Sequence, residues 1–244
     1  MKTYGGFAYL YDLLMNDIPY SAWADYIGDA LKRHLGECPQ NHIVVDVACG
    51  TGNITIPLAQ MGYDMIGVDI STDMLAQAQA KVKDEKILFL AQDMRELDLY
   101  GTVDAVVCTC DSLNYILDEG ELEAIFSRIK MFLNPGGVFI FDMNTEYKYT
   151  KLLGNKTFTA KANDISYEWN NHFDPYTGIN QYHVIFMTGD GKPFEEIHYQ
   201  RAYPVDFVCD LLQKAGFRYV DAFDGYTVMP PMDESIRALF LAVT

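Results

Sequence analysis

The stretch Val44-Val45-Asp46-Val47-Ala48-Cys49-Gly50-Thr51-Gly52-Asn53 decides how this chain is read. An apolar run stops at two closely spaced glycines, and polar residues follow. That is the pattern of a buried strand that ends in a tight turn and opens a helix. Such a turn leaves backbone N–H groups aimed at whatever lies beyond the strand end. Asp46 sits near the end of this strand, and a second acid, Asp69, ends the next apolar run. Bare N–H donors beside two acids suit a small molecule with a ribose and an anionic or zwitterionic end.

Outward from this turn the pattern is regular. Strand-like runs occupy 43–48, 65–69, 87–91, 103–109 and 137–143, with helical patterns at 53–61, 71–83 and 120–133. This alternation predicts a parallel sheet with helices on both faces. Ser71-Thr72-Asp73-Met74 offers a helix cap, and Asn134-Pro135-Gly136-Gly137 turns the chain into the fifth strand. Two helices, 7–14 and 20–35, come first. After residue 144 the rhythm changes: 156–162, 165–173, 178–187 and 195–203 read as antiparallel segments joined by turns at 174–178 and 188–193. A helix at 205–215 and strands at 217–223 and 238–243 then resume the α/β pattern. The expected organisation is one domain built from 1–144 and 204–244, with 145–203 inserted as an antiparallel β cap.

Composition narrows the partners. Lys and Arg total 18 against 34 Asp and Glu, a formal net charge of −16. An acidic surface repels phosphate backbones and anionic lipid, which argues against nucleic acid and membrane as partners. The five cysteines form no C-x-x-C pair, and the chain carries no membrane-length apolar run and no signal-peptide core in residues 1–6. A cytoplasmic location is expected. No His-x-x-x-His pair or other metal set is present in the sequence, so no metal is expected.

In an open parallel sheet, ligands bind beyond the carboxyl ends of the strands. The dinucleotide fingerprint requires a third glycine, where this chain has Thr55. Asp46 would face a pyrophosphate badly and an ammonium well, which points to a ligand with an amino-acid end. Asp69 fits as a bidentate acceptor for two ribose hydroxyls. Asp93-Met94, at the third strand end, fits the edge of an adenine. An adenosyl amino acid is S-adenosylmethionine (SAM).

With Val45-Asp46-Val47-Ala48-Cys49-Gly50-Thr51-Gly52, Gly67-Val68-Asp69-Ile70-Ser71, Gln92-Asp93-Met94, Asp104-Ala105-Val106-Val107 and Leu133-Asn134-Pro135-Gly136-Gly137 in this order and spacing, the chain resembles the class I SAM-dependent methyltransferases. Its layout is similar to the sugar-amine and glycine N-methylating branches. The resemblance implies a Rossmann-like, doubly wound seven-stranded sheet of order 3-2-1-4-5-7-6, its last strand antiparallel. It places Asp46, Ala48, Gly50 and Gly52 around the methionine part and Asp69 at the ribose, with Asn53 also a cofactor-binding residue. It puts Ile70 and Met74 over the adenine, Asp93 and Met94 at its edge, and Cys110 beside the sulfonium. Tyr11, on an aromatic-rich first helix with Tyr4, Phe7 and Tyr9, is the lid contact.

Methyl transfer from a sulfonium is an in-line displacement that chiefly requires placement and desolvation of the acceptor. The Pro-Pro-Tyr type motif of nucleic-acid amino-methylating enzymes is absent after the fourth strand, where Cys110-Asp111-Ser112-Leu113-Asn114-Tyr115 stands instead. That favours a small-molecule acceptor methylated at N or O, with Asp111 and Tyr115 as catalytic candidates and Asn114 close by. His183 and His198, in the insertion, are candidate bases. The insertion serves either as an acceptor cap or as the surface of a homodimer. A protein methyltransferase of the same fold, or a non-catalytic SAM-binding regulator, are the alternatives.

Overall fold

The computed structural model describes residues 8–162, 165–187 and 193–244. Tyr4, Phe7 and most of the turn expected at 188–193 lie outside the described residues, as does the side chain of Tyr9. Helices α1 (Ala8–Leu14) and α2 (Tyr20–Leu35) lead into β1 (Ile43–Val47), α3 (Thr55–Gln60), β2 (Asp64–Asp69), α4 (Thr72–Lys81), β3 (Ile87–Ala91), β4 (Val103–Cys108), α5 (Glu119–Phe132) and β5 (Leu133–Asn144). Strands β6 (Thr157–Ala162), β7 (Ile165–Asp174), β8 (Ile179–Met187) and β9 (Pro193–Arg201) follow. The chain then makes α6 (Val205–Lys214), β10 (Tyr219–Asp224) and β11 (Arg237–Val243).

Seven strands form one sheet in the order β10-β11-β5-β4-β1-β2-β3, and β6 to β9 form a separate four-stranded sheet. Strands β1 to β5 pair in parallel, while β11 runs antiparallel to both β5 and β10. With β10 and β11 as sixth and seventh strands, this is the order 3-2-1-4-5-7-6 that the resemblance implied.

The central strands are apolar throughout because helices cover both of their faces. Val45, Val106, Phe139, Phe141 and Phe240 pack with Phe126 of α5 and Val208 of α6. The residues between them in sequence, Val44, Ala105, Val107, Ile140 and Leu239, pack with Ile27 of α2 and Leu58 of α3. Ser71 and Asp118 cap α4 and α5, accepting from Met74 N and Glu121 N. Helix α5 passes into β5 with no free loop, and the register to β4 shifts between Val103 and Ala105 to absorb Asn134-Pro135-Gly136-Gly137. A single π-helical stretch, Lys148–Leu153, joins β5 to the small sheet.

The Phe126 ring is fully buried, 5.4 Å from Phe141 and 6.0 Å from Phe139. Phe126→Ala leaves a cavity that this aromatic stack cannot fill. It should lower the unfolding free energy by about 3–5 kcal/mol, read by urea titration.

Candidate active site

The turn after β1 is wound into left-handed backbone. Ala48 has φ +58°, Gly50 +54° and Gly52 +79°. A Cβ at Gly50 would meet nothing within 4 Å, so the backbone there faces open space. One at Gly52 would press on Ala78 Cβ at 3.3 Å, so this glycine lets α4 pack against the turn. Gly50 N donates to Asp69 Oδ2 and Ser71 N to Asp69 Oδ1, both at 2.8 Å. Each carboxylate oxygen keeps a further lone pair for a ligand. Burial raises the pKa of Asp69 above the usual carboxylate value, against the two backbone hydrogen bonds.

A cavity of about 660 Å³ opens over these strand ends, within the range of about 300–1,000 Å³ typical of small-molecule sites. Of the residues singled out from sequence, Tyr11, Ala48, Gly50, Asp69, Ile70, Met74, Asp93, Met94, Cys110, Asp111 and Tyr115 line it. Ile70 is an apolar side chain left 63% exposed, an open face beside Asp69. Asp93 carries Arg95, whose Nε and Nη2 lie at 3.0 and 2.6 Å from its two oxygens. That pairing holds its pKa low.

Asp46, Gly52 and Asn53 do not line the cavity. Asp46 is 1% exposed. Its Oδ2 accepts from Thr55 Oγ1 at 2.6 Å, and its Oδ1 is buried without a partner among the described residues. Burial, opposed by the Thr55 hydrogen bond, pushes its pKa up to about 7. Asn53 serves a clasp instead. Asp12 of α1 accepts from Thr51 Oγ1, Asn53 Nδ2 and Lys81 Nζ at 2.6, 2.9 and 2.8 Å, and Lys81 Nζ reaches Asn53 Oδ1 at 2.7 Å. This clasp ties α1, and with it Tyr11, to the glycine turn.

The second half of the cavity begins beyond β4. Cys110 and Asp111 hold φ values of +58° and +53°, uncommon for residues with a Cβ. Both of their N–H groups donate to Asp142 of β5, at 3.0 and 2.8 Å. Asp142, fully buried, also accepts from Tyr226 Oη and Arg237 Nη1. Arg237 Nη2 reaches Asp111 Oδ1 at 2.7 Å, and Gln200 Nε2 reaches Asp111 Oδ2 at 2.8 Å. Tyr149 Oη in turn donates to Gln200 Oε1 at 2.8 Å. Burial works against the charge of Arg237, but Asp142 and Asp111 hold its pKa above the usual value. Lys148, also in the cavity wall, donates to Asn144 Oδ1 at 2.8 Å. Burial pulls its pKa down although Asp111 is near.

The far wall is one face of the small sheet. Tyr167 and Trp169 of β7, Tyr182, Val184 and Phe186 of β8, and His198 and Gln200 of β9 all line the cavity. His183, a candidate base from sequence, points to the other face and pairs with Glu195 at 2.7 Å. Asn114 is fully buried and away from the cavity wall. It bonds Asn144 N and O and Arg201 O, and so joins β5 to β9. Asp142, Arg237, Gln200, Lys148 and Asp12 were not singled out from sequence. Asp142 alone left a mark there, as an acid inside the apolar run of β5.

The residues present fit an adenosyl cofactor: a glycine cradle open to the cavity, an aligned carboxylate with spare lone pairs, and an exposed apolar flank at Ile70. A family model described as a methyltransferase domain matches residues 44–137. YqeM of Bacillus subtilis, a protein named as a methyltransferase, is 36% identical over 248 residues, covering 98% of this chain and 96% of that one. A glycine/sarcosine N-methyltransferase of Parasynechococcus marenigrum is 28% identical over 224 residues, 86% of this chain and 74% of its own. Among solved structures, a SAM-dependent methyltransferase from Clostridium acetobutylicum aligns over 98% of both chains with a TM-score of 0.86 and 31% identity. The chain belongs to the methyltransferase family and is a SAM-dependent enzyme of it.

The buried Asp46 generates a pH dependence. Its folded pKa of about 7 lies above the model-peptide value of 3.8. Between these values the folded state keeps a proton that the unfolded chain has released, so stability falls as pH rises, by on the order of 1 kcal/mol per pH unit. Asp46→Asn removes this loss. Its stability advantage over the parent should grow from pH 4 to 7 and then level off, read by urea unfolding at each pH.

Proposed function

We propose that this enzyme methylates a small molecule at nitrogen or oxygen, with the cofactor in the glycine-turn half of the cavity and the acceptor under the small sheet. The observation that carries the reading is that one cavity is lined both by Asp69 and Met94 and by Trp169 and His198. Residues 145–203 act in this reading as a cap on the acceptor half. In this reading the aromatic side chains of that cap shield the acceptor from water.

On the cofactor side, Asp69 takes the ribose hydroxyls, and Ile70, Met74, Asp93 and Met94 surround the adenine. Ala48, Gly50 and Tyr11 enclose the methionine part, and Cys110 stands near the sulfonium. Asp46, Gly52 and Asn53 support this shell from behind, through Thr55, α4 and the Asp12 clasp. Bound SAM supplies a methyl group already activated on a sulfonium. The chain's task is to bring the acceptor into line and strip its water. Asp111 and Tyr115, which face the cavity after β4, position the acceptor, and the Arg237–Asp142 pair holds Asp111 in place.

Two measurements test this. Asp69→Ala should weaken SAM binding about 10- to 100-fold by calorimetry, the loss of a charged hydrogen-bonding partner. Labelled methyl from SAM, offered in turn to a panel of metabolite amines and alcohols, to total protein and to nucleic acid, should appear in the low-mass fraction. Transfer to protein or nucleic acid instead would overturn the small-molecule reading.

A further inference from the structure

We infer that the acceptor is a compact aromatic compound with its nucleophilic nitrogen or oxygen at one end, and that Tyr167, Trp169 and Tyr182 select it by offering a wall of rings. The inference rests on the small-molecule reading above and names the substrate class of that site.

Strand alternation builds this wall. Tyr167 and Trp169 stand two apart on β7, and Tyr182, Val184 and Phe186 stand two apart on β8, so one face of the small sheet carries them all. The register sets Tyr167 opposite Phe186 and Trp169 opposite Val184. The ring centroids of Tyr167 and Phe186 lie 6.1 Å apart and those of Trp169 and Tyr182 5.4 Å apart, with the planes tilted by 47° and 43°. The rings form a contiguous surface, and all of these residues line the cavity. Phe186 and Tyr182 are buried, so packing orders their rings before a ligand arrives.

Ile116 and Leu153, both buried, line the same cavity. Contact with such side chains favours an apolar ligand in proportion to the area it buries, and rings favour an aromatic one beyond that area. The volume sets the size. A cavity of about 660 Å³ is that of a site for one drug-sized ligand, and here the cofactor takes a share of it, so the acceptor is compact.

Charge argues against an acidic or phosphorylated acceptor. Among the described residues, the lysines and arginines of the wall are Arg95, Lys148 and Arg237, and each already faces a carboxylate. Arg95 grips Asp93, and Arg237 bridges Asp111 and Asp142. Lys148 bonds Asn144 and has Asp111 and Asp142 for neighbours. A carboxylate or a diphosphate placed there would compete with these acids and meet the negative faces of the rings. An aromatic compound avoids both: its polar end reaches Asp111 and its body meets the rings.

The test uses the full chain saturated with S-adenosylhomocysteine, the demethylated cofactor, and four probes: naphthol, its saturated counterpart decalol, glycine and thymidine diphosphate. By calorimetry at pH 7, naphthol should bind about tenfold or more tighter than glycine or thymidine diphosphate. It should bind about two- to tenfold tighter than decalol, the scale of ring-on-ring contact. Trp169→Ala should weaken naphthol about tenfold, and Trp169→Phe, which keeps a ring, should restore most of the loss. The affinity of both variants for S-adenosylhomocysteine reports that the fold is kept. Glycine or thymidine diphosphate binding as tightly as naphthol would overturn the inference. So would equal binding of decalol, or no binding by any probe. The small-molecule reading fails by a different sign, labelled methyl passing from SAM to total protein. Failure of S-adenosylhomocysteine itself to bind would count against the cofactor reading, and is seen separately.

Discussion

The carboxylate of Asp142 is the point on which the half of the cavity beyond β4 depends. It is buried at the end of a central strand and accepts from two backbone N–H groups, a phenol and a guanidinium. A charge so deep in a protein is tolerable only when it is fully partnered. In return it holds Cys110 and Asp111 in left-handed backbone that costs about 1–2 kcal/mol per residue. Those two conformations aim the chain after β4 across the cavity rather than along the sheet. Arg237 extends the hold to α2, lying 5.1 Å from the Trp23 ring, which stacks on Tyr226 at 4.3 Å.

The two halves of the cavity are built differently. The half at the glycine turn rests on strand ends: a wound turn, the Asp69 carboxylate aligned by Gly50 N and Ser71 N, and the flanking side chains of Ile70, Met74 and Met94. The half under the small sheet is mostly side chain, projected from β7, β8 and β9 in alternation. Gln200 and Arg201 fasten the small sheet to the chain after β4, the first on Asp111 and the second on Glu119 and the Leu117 carbonyl.

The sheet was legible because its central strands are buried on both faces and so appear as apolar runs closed by a polar or glycine residue. The cavity wall at the glycine turn was legible for a related reason: Gly50 and Asp69 sit at strand ends, where position in sequence and position in space coincide. Asp46 shows the limit of that rule. Its residue type and place matched an ammonium contact, yet strand alternation turns it inward to Thr55, and the periodicity of five residues could not show which side the cavity lies on. The pairing of Asp142 with Arg237 spans 95 residues and leaves no local pattern. His198 and His183 looked alike in sequence, and only the face of the small sheet separates them.

That long span has a consequence for how the protein comes into being. β11 lies between β5 and β10 in the sheet, yet it follows both of them in sequence. Until it slots in, β5 has an open edge, and Asp142 lacks its guanidinium. Closing contacts of such separation is slow compared with forming the neighbouring βα units. The glycine turn and Asp69 are held by neighbouring βα contacts, whereas Asp111 is fixed by Arg237, 126 residues away, so the two sides of the cavity depend on contacts of very different reach.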